Sequence, residues 1–94
     1  MELRFWNDPE TYLPHIYEHG VTEAEVRQVL SRHGEEFPGD DRSRIRLGQT
    51  DAGRYLQVVY VPDAVGDGAF VVTAYDLTPK AKRAFRSRRR RKKK

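Results

Sequence analysis

The chain has no cysteine among its 94 residues, so it holds no disulfide, no thiolate zinc site and no thiol nucleophile, a composition suited to a reducing cytosol. Its opening, Met1-Glu2-Leu3-Arg4-Phe5-Trp6, lacks the apolar run of roughly 7–15 residues that a secretory signal needs. No stretch approaches the ~20 apolar residues of a membrane span. A cytoplasmic location is expected, with no membrane partner, because a polybasic segment without an acyl chain or an apolar face anchors poorly. No His-x-x-x-His pair and no clustered carboxylate motif occurs, so neither a metal nor a cofactor is expected. The last absence is of acid, since no Asp or Glu follows Asp76.

That absence splits the net charge of +4 into two opposed parts. Residues 1–79 carry seven basic and fourteen acidic groups, a balance of −7, while residues 80–94 carry +11. A weakly acidic body does not hold a polyanion over its whole surface, so nucleic-acid contacts are expected on the basic end and on local basic patches. The length suits one domain that folds alone.

Periodicity predicts the elements. Leu3-Arg4-Phe5-Trp6 reads as a short strand or extended lead-in, followed by the turn-forming Asn7-Asp8-Pro9. A first helix is expected from Thr11–Leu13 to Gly20, with Pro14 in its first turn and Leu13, Ile16 and Tyr17 as its apolar stripe. Thr22-Glu23-Ala24-Glu25 is a capping box flanked by Val21 and Val26, so a second helix starts at Thr22; Val26, Val29 and Leu30 form its stripe and His33-Gly34 its stop. Beyond Gly34 the period falls to two. Ser43 to Thr50, Arg54 to Val61 and Ala69 to Asp76 alternate as strands of an antiparallel meander, with Asp51-Ala52-Gly53 as a hairpin turn and Glu35-Glu36-Phe37 as an added edge. Thr78-Pro79 opens a third, basic helix with Ala81, Ala84 and Phe85 inward. The expected fold is therefore α+β: two N-terminal helices on a small antiparallel meander over residues 1–87, then a polybasic tail over 88–94 whose like charges favour disorder.

Strict alternation sorts the strands into faces. Ile45, Leu47, Leu56, Val58, Tyr60, Phe70, Val72 and Ala74 fall on a face to be buried; Arg44, Arg46, Tyr55, Gln57, Val59, Val71, Thr73 and Tyr75 fall on the other. Arg44 and Arg46 project together, where planar guanidinium forks suit a phosphate, and Arg54 adds a third contact. Tyr55 and Tyr75 on that face suit base stacking. The alternative is a solvated sheet face carrying ordinary charge.

His19-Gly20-Val21 before a capped helix, then Leu56-Gln57-Val58-Val59, Val72-Thr73-Ala74-Tyr75 and a basic last helix, together with Phe5 and Asp8 at the opening, resemble the BrnT family of type II toxins in the RelE/ParE superfamily. The likeness spans roughly residues 3–86. Tyr75 stands where that family tends to place Arg. The resemblance implies a RelE-like fold and a metal-independent endoribonuclease that cuts messenger RNA, free or on the ribosome, and arrests growth. It also implies a cognate, DNA-binding antitoxin as partner.

Metal-free RNA cleavage needs a base for the 2′-hydroxyl, stabilisation of the phosphorane and an acid for the departing oxygen. Arg44, Arg46 and Arg54 suit the phosphate, and Tyr75, at the family-equivalent strand end, suits acid/base or stacking work. His15 is a further proton-transfer candidate, one turn from His19. His19 before Gly20 and His33 before Gly34 also read as helix-end residues. Tyr55, Lys80, Lys82, Arg83 and Arg86 are the expected RNA-binding residues. The alternatives are a non-catalytic RNA- or ribosome-binding module, and a protein whose basic surface holds an acidic partner.

Overall fold

The structure, a computed structural model, describes residues 1–92. Leu3–Phe5 (β1) runs parallel to Ala69–Asp76 (β5), with Leu3 opposite Ala69 and Phe5 opposite Val71. Glu35–Pro38 (β2), Arg44–Gln49 (β3) and Tyr55–Pro62 (β4) pair antiparallel, and the five strands form one mixed sheet in the order β1-β5-β4-β3-β2. Two α-helices, Glu23–Leu30 (α1) and Pro79–Lys92 (α2), complete a small α+β domain. Among the described residues, no helix is long and apolar enough to cross a membrane.

This corrects the expected RelE-like arrangement of two N-terminal helices on an antiparallel meander. The chain opens on a strand, the sheet is mixed, and the first expected helix is a five-residue 3-10 helix, His15–His19. Proline explains the shortening. Pro14 has no N–H and turns Leu13 away from helical angles. Residues 8–13 instead close a small loop through Asp8 N–H to the Leu13 carbonyl and Tyr12 N–H to the Asp8 carbonyl, both 2.8 Å. Of the predicted stripe only Ile16 is buried; Leu13 and Tyr17 are exposed.

The second helix starts where expected but ends at Leu30, with Ser31 as its C-cap, short of the expected stop at His33-Gly34. Thr22 Oγ1 accepts from the Glu25 N–H at 3.2 Å and Glu25 Oε1 accepts from the Thr22 N–H at 3.0 Å, so two orphan donors are satisfied reciprocally. Val26, Val29 and Leu30 are buried with Val21 and Ile16 against Leu56, Val58 and Val71. Contact is close: a Cβ on Gly48 of β3 would lie 2.9 Å from Val29.

Alternation misplaced part of the sheet for two reasons. First, both faces are covered. Leu56 and Val58 face α1, whereas Leu47 faces the opposite side and packs with Leu77 and Phe85 under α2. Second, β5 carries a bulge: Val71 sits opposite Tyr60 and Thr73 opposite Val59, leaving Val72 unmatched. One extra residue reverses the side-chain order. Val71 and Ala69 therefore enter the core where Phe70 and Val72 were expected.

α2 opens with Thr78 Oγ1 accepting from the Ala81 N–H at 3.1 Å, and Phe85 is buried. Ala84 is exposed. The helix continues through Arg88 to Lys92, where a disordered tail was expected, and Glu35 on β2 accepts from Arg88 Nε and Nη2 at 2.5 and 2.6 Å. Lys93 and Lys94, the end of that expected tail, lie outside the described residues.

Two carboxylate–arginine nodes tie these layers together. Glu36 accepts from Arg44 Nε at 3.2 Å, from Arg46 Nε at 2.9 Å and from the Tyr60 hydroxyl. Burial would raise its carboxyl pKa, but those donors prevail and hold it below the ordinary 4.5. Arg54 donates to both Asp76 oxygens at 2.7 and 2.9 Å, to Glu25, and to the carbonyls of Gly20 at 2.7 Å and His19 at 3.2 Å. The Asp76 hydrogen bonds raise its pKa further above the ordinary arginine value.

Arg54→Ala is expected to lower folding stability by roughly 2 kcal/mol, with little recovery in Arg54→Lys because an ammonium cannot span both carboxylates and both carbonyls. Urea titration measures it; a loss under ~0.5 kcal/mol, the range of ordinary surface changes, would remove Arg54 from the framework. A pH test applies to Glu36. Because its folded pKa is depressed, its contribution is present above 4.5 and is lost as pH falls through the folded value. The stability gap between wild type and Glu36→Gln should shrink from pH 7 to pH 3, and a constant gap would contradict the assignment.

Candidate functional site

At the β1/β5 edge of the sheet, an open groove of about 610 Å³ is lined by Trp6, His15, His19, Phe70, Val72, Thr73 and Tyr75. Trp6 follows β1 directly, and its N–H bonds the Val71 carbonyl at 2.9 Å. The His15 N–H bonds the Trp6 carbonyl, also at 2.9 Å, so the 7–14 loop brings the 3-10 helix back beside β1. The bulge at Val72 brings Phe70 and Val72 to the side that Thr73 and Tyr75 already face, so all four line the groove.

Four rings follow one another along its wall. Trp6 and His15 have centroids 5.4 Å apart, His15 and His19 5.2 Å, and His19 and Tyr75 5.7 Å. Edge and tilted contacts of this kind suit ring quadrupoles. His15 Nδ1 lies 3.3 Å from Asp8 Oδ2. The Glu10 N–H bonds Asp8 Oδ1 at 2.9 Å, and this bond, joined by His15, keeps the Asp8 carboxyl below its ordinary value and ionised. An ionised Asp8 favours the proton on Nδ1, leaving Nε2 of His15 as the basic nitrogen. The Tyr75 hydroxyl accepts from Gln57 Nε2 at 2.7 Å, so its own O–H is left to donate elsewhere.

The residues expected to act together are divided between the faces. Tyr75 and His15 share the groove. Arg44 lies opposite Tyr60 and Arg46 opposite Val58, on the α1 face, whereas Tyr75 lies opposite Gln57 on the other face. Residues directly opposite each other share a face, so Arg44 and Arg46 do not converge with Tyr75. Their guanidinium groups are held by Glu36, and Arg46 also donates to the Arg32 carbonyl at 3.0 Å beyond the end of α1. Arg54 is likewise held by carboxylates and carbonyls. These are framework contacts rather than a phosphate cradle.

Tyr55 lies on the α2 face. The Lys82 ammonium sits 5.0 Å from its ring centroid and Phe85 meets it edge-on at 6.0 Å, so the ring is largely occupied. Lys80, Lys82, Arg83 and Arg86 are exposed along α2. Sequence reasoning missed Trp6 and Asp8 at the groove and read His19 as a helix-end residue. The i, i+4 spacing of His15 and His19 was the signal for the pair; nothing local signalled that Trp6 would come beside them, because that contact depends on β1 pairing with β5.

Among the described residues, the Thr73 hydroxyl is a buried side-chain polar atom with no hydrogen-bond partner. Such a group destabilises by about 1–3 kcal/mol. Thr73→Val, nearly the same shape, is therefore expected to stabilise the free protein, and thermal unfolding would show a raised Tm; a marked drop would mean that the hydroxyl has a partner. No family model, no curated protein and no solved structure matches this chain.

Proposed function

We propose that this protein is a cytoplasmic endoribonuclease of the type II toxin kind that its sequence resembles, and that the Trp6/His15/His19/Tyr75 groove is where it cuts RNA. The observation that carries the reading is the placement of two imidazoles and a phenol in one open, largely apolar groove, with an ionised Asp8 behind His15. Proton transfer near neutral pH is the task to which imidazole is suited, and an aromatic wall suits an unstacked base.

In this mechanism a base enters against Trp6 and Phe70. His15 takes the proton from the 2′-hydroxyl, and the resulting oxygen attacks the adjacent phosphorus. The bond from phosphorus to the 5′-oxygen breaks as Tyr75 donates its proton to that oxygen, while His19, between the two, faces the phosphorane. The products are a 2′,3′-cyclic phosphate and a 5′-hydroxyl. His15 then returns its proton to Tyr75 through solvent. A toxin of this kind is kept silent by a cognate, DNA-binding antitoxin, the partner that the resemblance implies.

One observation favours a second reading, a non-catalytic RNA- or ribosome-binding module. Arg44, Arg46 and Arg54 are committed to carboxylates, so no arginine lines the groove to steady a phosphorane.

Purified protein in EDTA is expected to cleave single-stranded RNA to 2′,3′-cyclic ends, with His15→Ala and Tyr75→Phe each slowing cleavage by about 10²–10⁴-fold without loss of folding. Bound but uncut RNA at high protein concentration would select the binding module. Neither binding nor cutting would reject both.

A further inference from the structure

Six arginines of this chain are matched to carboxylates, and three others gather on one groove without one. Arg4 is matched to Asp63, Arg32 to Asp51, Arg44 and Arg46 to Glu36, Arg54 to Glu25 and Asp76, and Arg88 to Glu35. Arg86, Arg89 and Arg90 have no carboxylate partner among the described residues. They lie at i, i+3 and i+4 on α2, one surface of the helix. There they meet Gln49, at the end of β3, and Tyr55, at the start of β4, around a groove of about 290 Å³.

Arg89 is positioned without being neutralised. Its Nη1 donates to Gln49 Oε1 at 3.0 Å, and Gln49 Nε2 donates in turn to the Gly53 carbonyl at 3.2 Å, anchoring the amide to the hairpin turn. Its guanidinium carbon also sits 5.5 Å from the ring centroid of buried Phe85. A neutral amide and a ring face fix direction but leave the charge uncompensated. Three cations clustered on one groove repel each other, and an oxyanion placed among them relieves that repulsion while accepting their N–H donors.

We infer that this groove is a phosphate-binding site, and that its ligand is the backbone of the RNA strand acted on in the His15/His19/Tyr75 groove. The identity of the ligand rests on the RNA reading above; the oxyanion site does not. Two features favour a strand over a small anion. Lys80, Lys82 and Arg83 continue the exposed positive surface along the same helix, with no acid on it. Gln57, which bonds Tyr75, and Tyr55 are alternate residues of β4 on one face, roughly 7 Å apart along the strand. Tyr55 at this groove and Tyr75 at the other thus lie on one face of the sheet, across which an extended strand can run. Arg86, Arg89 and Arg90 would supply the guanidinium contacts that the cleavage groove lacks.

The test uses the full chain, Arg86→Gln/Arg90→Gln, and a control with the same charge loss elsewhere, Arg27→Gln/Arg42→Gln. Each is titrated by NMR with inorganic pyrophosphate, a single-stranded oligoribonucleotide and polyglutamate. Pyrophosphate and RNA are expected to shift the Gln49 side-chain amide in wild type and control. The groove variant should lose both shifts, and its slope of log affinity for RNA against log salt should fall by about 1.4, two phosphate contacts at roughly 0.7 each. Pyrophosphate shifts without RNA binding would defeat the RNA reading and leave the oxyanion site standing. An unchanged Gln49 signal with both phosphate ligands, or an unchanged salt slope in the groove variant, overturns the site. Stronger binding of polyglutamate than of either phosphate ligand would replace it with a surface for an acidic protein.

Discussion

Arg54 is the contact on which the geometry of this protein turns. It enters from the hairpin between β3 and β4 and reaches three elements distant in sequence: the carbonyls that end the 3-10 helix, the Glu25 carboxylate that completes the α1 capping box, and Asp76 at the end of β5. One rigid fork therefore holds the corner at Gly20 against the sheet. Gly20 itself adopts φ 67°, a conformation that glycine reaches without the strain a Cβ would bring. Because one guanidinium grips both the His19 carbonyl and Asp76, the last residue of β5, the His19 ring and the Tyr75 ring are brought side by side. The groove they line is a consequence of that clamp.

The sheet is covered unevenly, and the uneven cover makes the sites. α1 and the 3-10 helix bury the central strands on one face, while α2 crosses only one end of the other, over Leu47, Tyr55 and Leu77. The remainder of that second face stays open beside β5, where the bulge at Val72 has turned apolar and aromatic side chains outward. A strand with unbroken alternation would have kept Val72 beneath α1 and Tyr75 apart from Phe70. A single inserted residue thus exchanges part of the core for an open apolar wall.

Charge follows the same logic. The acidic body spends carboxylates on its own arginines, at Glu36, Glu25 and Asp76, while Glu35 holds Arg88 of α2 and the free positive charge is concentrated along that helix. Arg44 and Arg46 illustrate why spacing alone does not identify an anion site. They project together as a strand requires, but the neighbouring strand β2 supplies Glu36 to both, and Tyr60 on β4 donates to the same carboxylate. Lone arginines read as ligands in a sequence because their carboxylates arrive only with the tertiary pairing.

The local chemistry of this chain was legible in its residues. The capping box at Thr22 and Glu25, the turn at Gly53, the three long strands, the helix start at Thr78-Pro79 and the division of charge at Asp76 depend on neighbours a few positions apart, and propensity and hydrogen-bond geometry act at that range. Pro14 was legible too, but its effect was underestimated, since it reduced a helix to a 3-10 turn. Tertiary structure decided the rest: the parallel docking of β1 on β5, the face on which Ile45 and Leu47 lie, the bulge that brings Val72 to the groove, and the carboxylate partners of Arg4, Arg32, Arg44, Arg46 and Arg54. Those outcomes are set by register between strands far apart in the chain and by two helices competing for opposite faces of one sheet. Alternation along a single strand carries neither kind of information.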